Sequence, residues 1–85
     1  MIDLDKLNNV DPTPVAHKAL NFLDLVSDHE KEVQGAALAV TFLAYCRRHG
    51  ADPGHFFTVG NNILHSKHMD DPTWWALHAY LEHET

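Results

Sequence analysis

Four side chains that commonly bind transition metals lie in the second half of the chain, in two pairs with the same spacing. Cys46 and His49 form one pair and His65 and His68 the other, so the pattern is C-x2-H, fifteen residues, then H-x2-H. Residues three apart lie on one face of a helix. Two such pairs can complete a tetrahedral zinc site, because Zn²⁺ binds thiolate and imidazole ligands.

The local sequence argues against this zinc site. Cys46 and His49 stand just before Gly50, a residue that ends helices, and the negative helix end disfavours a thiolate. Cys46 also follows three residues, "LAY", that are typical of a packed core. We therefore predict no metal and no cofactor, with the histidines mostly facing solvent. If a metal binds, these four residues are the predicted ligands.

The chain also lacks a coherent set of catalytic groups. Cys46 and His49 are a candidate nucleophile and base, but burial of the thiol opposes its activation. Gly54 and Gly60 do not have the spacing of a phosphate-binding loop. We predict no catalytic residues and no enzymatic activity.

Helices must position these residues, and the sequence marks where each helix begins. Three starts combine an N-cap residue with a following proline: Thr13–Pro14, Asp52–Pro53 and Asp71–Pro72. A fourth start, Ser27 with Glu30, has the spacing of a capping box. Gly50 is a natural left-handed helix end.

These boundaries predict an all-α fold, a compact bundle of four helices over residues 14–26, 28–49, 53–65 and 72–84. The second helix is apolar on nearly every face from Gly35 to Cys46, so we expect it at the centre of the fold. Residues 1–12 are expected to be irregular. A chain of 85 residues, 45% of them hydrophobic, is expected to form a single domain over residues 1–85.

Composition restricts the classes of partner. The formal net charge is −6 with the eight histidines neutral, which opposes nucleic-acid binding because such proteins carry basic patches. The single cysteine excludes an internal disulfide and suits a reducing compartment. The longest uncharged stretch has 14 residues, whereas a membrane span needs about 20. With no apolar run at the N-terminus to serve as a signal peptide, we expect a cytoplasmic protein with no nucleic-acid or membrane partner.

Two consecutive tryptophans, Trp74 and Trp75, indicate an interaction surface. Neighbouring residues point about 100° apart on a helix, so one ring can join the core while the other faces outward. Trp and Tyr are enriched at binding hot spots. The predicted interface consists of Trp74, Trp75, Leu77, Tyr80 and Leu81. The alternative is that both rings are partly buried at the start of their helix.

The stretch around Gly50 has a distinctive order of helix boundaries and core residues. An apolar helix ends in Arg/His-Gly, and "DP" and "FTV" follow before an asparagine and an aliphatic pair. The residues concerned are Arg48, His49, Gly50, Asp52, Pro53, Phe57, Thr58, Val59, Asn62, Ile63 and Leu64. Over about residues 30–65 the chain resembles small helical proteins encoded by tailed phages. The resemblance implies an accessory protein acting in the host cytoplasm, and it implies no site residues.

These observations favour a non-enzymatic protein–protein interaction module, a phage accessory protein that binds and modulates a host protein. Surplus aromatic residues favour a symmetric homodimer, formed by residues 72–84 with residues 14–26 or with the small-residue face of 28–49. The alternative is a protein that sequesters a metal or a small ligand. It would use the His/Cys-rich region or a pocket between protomers, with Arg47, Arg48 and Lys67 as the clustered cations.

Overall fold

All regular structure is helical in the part of the chain that the computed structural model describes, residues 2–65 and 72–83. The described helices are α1 (Leu4–Asn8), α2 (Pro12–Leu25), α3 (Lys31–His49), α4 (Pro53–His65) and α5 (Pro72–His83). The predicted all-α class is confirmed. The predicted number of four helices is wrong, because the N-terminal residues form an additional helix.

The N-terminal segment, expected to be irregular over residues 1–12, contains α1 and leads directly into α2. The Asp3 carboxylate caps α1 by accepting hydrogen bonds from the backbone N–H groups of Asp5 and Lys6. A carboxylate at this position also interacts favourably with the positive end of the helix. A helix of five residues is too short to show an apolar period, so the sequence pattern did not indicate it.

The start of α2 lies earlier than predicted. Asp11, rather than Thr13, is the N-cap: its Oδ1 accepts a hydrogen bond from the backbone N–H of Thr13 at 3.0 Å. Pro12 follows as the first helical residue, where its missing N–H costs nothing and its fixed φ suits the helix. The stretch "DPTP" contains the pairs Asp11–Pro12 and Thr13–Pro14, and the helix starts at the first pair, which has the carboxylate cap.

The predicted start of α4 is confirmed. Asp52 Oδ1 accepts a hydrogen bond from the backbone N–H of Gly54 at 2.9 Å, and Pro53 opens the helix. The α5 helix begins at Pro72, as its proline predicts. Its predicted cap, Asp71, lies outside the described residues.

The boundary between α2 and α3 differs from the prediction. The Ser27 hydroxyl donates to the backbone carbonyl of Asp24 at 2.7 Å, so it closes α2 instead of capping α3. The α3 helix begins at Lys31, after Glu30, whose side chain makes no capping hydrogen bond. Serine can satisfy backbone groups at either end of a helix, which is why local spacing misplaced this start.

The end of α3 is confirmed at Gly50. This glycine has φ 60° and ψ 36°, and the next residue, Ala51, donates its N–H to the carbonyl of Cys46 at 2.9 Å. The left-handed conformation costs other L-residues about 1–2 kcal/mol. The turn returns the chain toward α3, and the rings of Phe42 and Phe56 meet edge to face with centroids 5.7 Å apart.

The core lies between α2 and α5. Its buried members are Ala16 of α2 and Trp74 and Leu77 of α5. Four partly buried residues pack around them: Leu20, Leu23, Ile63 and Leu64. A hydrogen bond of 2.9 Å between Thr73 Oγ1 and His17 Nε2 joins the same two helices. Apolar contact and this polar contact together set how α5 lies against α2.

The α3 helix is not the covered central helix that the sequence predicted. Cys46 is its buried residue, while Val33, Val40 and Leu43 are exposed. Small side chains offer little apolar area to bury, whereas Trp74 offers a large one. The prediction was wrong because an apolar helix surface can be covered within the chain or be left for another molecule.

Replacement of Gly50 tests the helix end that turns the chain. Gly50→Ala should lower the free energy of unfolding by about 1 kcal/mol, because alanine is strained in the left-handed region. Gly35→Ala is the matched control within α3, where an added Cβ meets nothing within 4 Å. It should raise the free energy of unfolding by about 0.5–1 kcal/mol. Urea denaturation followed by circular dichroism measures both, and a Gly50→Ala protein as stable as wild type would contradict this helix end.

Candidate interaction surface

The five residues predicted to form an interface do not share one surface. Trp74 and Leu77 are buried, at 4% and 6% exposure, in the core between α2 and α5. Trp75 and Leu81 are 55% and 50% exposed, and Tyr80 is half-buried. Because neighbouring residues point about 100° apart on a helix, Trp74 is buried while Trp75 faces outward. Trp74 and Leu77 must therefore be removed from the predicted interface, because their surfaces are already covered within the chain.

The outward side of α5 combines an indole ring with a carboxylate. Trp75, Ala79 and Glu82 are spaced i, i+4, i+7 on one side of α5, and all three are exposed. We call this set the Trp75 face. It extends over about 10 Å, at a rise of about 1.5 Å per residue. An indole and a carboxylate two turns apart on one side of a helix suit a basic surface, because one arginine can stack on the ring while another cation pairs with the acid.

The four candidate metal ligands are not assembled where the structure describes them. The Cys46 thiol is buried within the chain. His49 is exposed, and its ring lies against that of Tyr45 with centroids 4.5 Å apart. His65 Nδ1 forms a hydrogen bond of 2.8 Å with a backbone carbonyl one turn earlier in α4, and His68 lies outside the described residues. Across the described part of the chain, no three His, Cys, Asp or Glu side chains are grouped so as to hold a metal ion.

A groove beside the start of α3 bears on the alternative of a small anionic ligand such as a nucleotide. Its volume is about 700 Å³, and Glu30, Lys31 and Glu32 contribute charged groups to its lining. Two carboxylates against one ammonium group disfavour a phosphate. Of the cations that the alternative needs, Arg47 and Arg48 lie in the last turn of α3, at the opposite end of the helix, and Lys67 lies outside the described residues. The groove therefore does not suit an anion.

The outward side of α3 is an apolar surface that the sequence interpretation missed. Val33, Val40 and Leu43 are 42%, 67% and 50% exposed. With the exposed Ala36 they are separated by steps of three, four and three residues, the pattern of a helix–helix seam. The spacing was present in the sequence, but the nearly continuous apolar composition of α3 concealed it.

The total exposed area of the folded chain is large for its size. The chain exposes 6602 Å², whereas a monomeric protein of 9.6 kDa exposes about 5,100 Å². Its radius of gyration, 13.6 Å, also exceeds the value of about 12 Å for a compact domain of this length. The excess is about 1,500 Å², and a specific interface buries about 800 Å² on each partner. The fold thus leaves enough surface exposed for at least one interface.

Within the helices that the structure describes, none has both the length and the apolar character required to cross a lipid bilayer. Comparison of the chain with models of protein families, with curated proteins and with solved structures gave no match.

The two tryptophans should differ sharply in their contribution to stability. Trp74→Ala should lower the free energy of unfolding by about 3–5 kcal/mol, because it removes the largest side chain of the core. Trp75→Ala is the matched control and should change the free energy of unfolding by less than about 1 kcal/mol. Chemical denaturation at one fixed protein concentration measures both. Equal losses of stability in the two variants would contradict the difference in burial. The variants are tested separately, because replacing both tryptophans together would not distinguish loss of folding from loss of binding.

The reactivity of the single thiol tests its burial. Cys46 should react with a chromogenic disulfide reagent about tenfold or more slowly in the native protein than in urea, because the reagent needs a local opening to reach it. Addition of one equivalent of zinc should leave the native rate unchanged. Stoichiometric protection by zinc would restore the metal site as a hypothesis.

Proposed function

We propose that the chain is a non-enzymatic protein–protein interaction module that binds a basic surface of a partner protein. The observation that carries this proposal is the exposed area of 6602 Å², about 1,500 Å² above the expectation for a monomer. Part of the exposed surface is apolar, including Val40 and Trp75 at 67% and 55% exposure. Exposed apolar surface is unfavourable in water, and a contiguous patch of it marks an interaction site.

The chemistry of the Trp75 face supports a basic partner. Trp75 presents more than half of its surface, and exposed aromatic rings are the residues that most often anchor an interface. Glu82 lies on the same side of α5. The formal net charge of −6 adds long-range attraction for a cationic partner, which speeds association at low salt.

The environment of Cys46 supports the absence of catalysis. Nucleophilic catalysis needs a thiol that substrate can reach and a base beside it. Cys46 is 3% exposed, while His49 is exposed and lies against the ring of Tyr45. This thiol serves packing, as buried cysteines commonly do.

The resemblance to small proteins of tailed phages supports the setting of the proposal. In that setting the chain is an accessory protein in the cytoplasm of a host cell, and its partner is a host protein. A small acidic domain with an exposed anchor acts there by covering a basic surface that the host protein needs for its own contacts.

Loss of the exposed indole tests the proposal. A host protein captured by the wild-type chain is purified, and its affinity is measured by calorimetry with wild type and two variants. Trp75→Ala should raise Kd by about 30-fold or more, because it removes the aromatic anchor. Phe22→Ala is the matched control: this ring on α2 is 53% exposed, close to the 55% of Trp75, and its loss should change Kd by less than about threefold.

Salt dependence provides a second readout. An acidic face that binds a basic surface should lose affinity as salt increases, because exposed charges are screened beyond about 8–10 Å. An affinity independent of salt, or one that Trp75→Ala leaves unchanged, would contradict the proposal.

A further inference from the structure

We propose that a second copy of this chain packs on the outward side of α3, with the two α3 helices antiparallel and the two-fold axis at Val40. The interface is the α3 face, defined by Val33, Ala36, Val40, Leu43 and Arg47. This inference concerns self-association. It does not depend on the existence of a host partner or on the Trp75 face.

The two sides of α3 have different environments. One side contacts α4: the ring of Phe42 lies 5.1 Å from that of Phe57, and the ring of Tyr45 lies 5.9 Å from that of Phe56, between centroids. Val40 is two residues from Phe42 and so points about 160° away from it around the helix. With 67% of its surface exposed, Val40 marks the middle of the side that the described chain leaves uncovered.

The spacing of the α3 face fits helix–helix packing. Its members, all exposed, are separated by steps of three, four, three and four residues. Such steps keep side chains along one seam between two helices. The members between the ends are small or medium in size, so two helix backbones can approach closely.

The centre of this face is also the centre of the helix. Val40 is the middle residue of α3, which runs from Lys31 to His49. In an antiparallel pair centred there, Val40 of one copy meets Val40 of the other, and Ala36 meets the exposed Ala44. A two-fold interface requires such a self-complementary arrangement.

Charge selects the antiparallel arrangement over the parallel one. The first turn of α3 carries Glu32, and its last turn carries Arg47 and Arg48. An antiparallel pair centred on Val40 places Glu32 of one copy beside Arg47 of the other, twice in each dimer, because both residues lie on the same side of the seam. It also pairs the positive end of each helix dipole with the negative end of the other. A parallel pair would place like charges together at both ends, which is unfavourable.

The exposed area agrees with a second copy. The helix is about 28 Å long, at a rise of about 1.5 Å per residue, which is long enough for a stable helix pair. The surface excess of about 1,500 Å² per chain exceeds the area of about 800 Å² that each partner of a specific dimer buries. A dimer on α3 leaves part of the excess for another partner.

Sedimentation equilibrium, with native mass spectrometry, tests the dimer. The wild-type chain should be a dimer. Val40→Glu should raise the dimer Kd by about 100-fold or more, because two carboxylates would face each other in an apolar seam. Thr41→Glu is the matched control, since it adds the same charge to the same helix at an exposed position about 100° around from Val40. Its Kd should stay within about threefold of wild type.

Charge exchange tests the orientation of the two helices. Glu32→Arg and Arg47→Glu should each weaken the dimer about tenfold, because each creates two like-charge pairs. The double variant should recover most of the lost affinity in an antiparallel dimer, since each new arginine then lies beside a new glutamate. In a parallel dimer the double variant would remain weak. Circular dichroism of each variant checks that helix content is retained.

Three results would overturn the inference. They are a wild-type chain that is monomeric at hundreds of micromolar, a folded Val40→Glu variant that dimerises like wild type, and a double charge variant that remains as weak as the single ones. If Val40→Glu fails to fold, the charge series decides by itself. If the dimer forms elsewhere, the Trp75 face keeps its own test.

Discussion

The packing of Trp74 against Ala16 is the contact on which the rest of the described architecture depends. It joins α5 to α2, two helices far apart in the sequence, and this pairing is the most extensive contact between described helices. An indole ring brings a large apolar surface, and an alanine opposite it lets the helix axes approach. The hydrogen bond between Thr73 and His17 fixes the register of the same pair. The other helices are arranged around this joint, with α1 on α4 and the rings of α3 against those of α4.

A core of this size cannot cover all the apolar residues of the chain. Small domains have much surface for their volume, and their stability margins are narrow. Once α2 and α5 are paired, the outward sides of α3 and α5 keep valine, leucine and tryptophan side chains in solvent. Such surface is unfavourable in water, so the imbalance that limits the core favours the covering of these faces by another molecule, as we propose. The two exposed faces differ in chemistry: α3 offers a row of apolar side chains, and α5 offers an indole ring and a carboxylate two helix turns apart.

The histidines illustrate how residues suited to chemistry can serve local structure instead. His17 joins two helices, His49 lies on a neighbouring ring, and His65 bonds a carbonyl near the end of α4. An imidazole can do each of these because it is flat, partly apolar and able to donate or accept a hydrogen bond. Spacing of three residues brings two such rings to one side of a helix, but a metal site needs further ligands from another element at short distance. Where the chain is described, that third group is not supplied.

Local chemistry allowed the all-helical class and several helix ends to be predicted from the sequence. Asp52 and Pro53 start α4, and Gly50 ends α3. Each acts through its own side chain or backbone conformation, so a few residues of sequence are enough to predict the effect. A local pattern can still have two outcomes: Ser27 closes α2 instead of capping α3, and Asp11 rather than Thr13 caps α2. The division of Trp74 from Trp75, and the exposure of Val40, came only from the tertiary structure. Whether a side chain is buried depends on the surface that packs against it and not on the residue alone. The sequence by itself therefore determined the helical class and where several helices begin or end, and tertiary packing decided which of their faces are covered and which remain exposed.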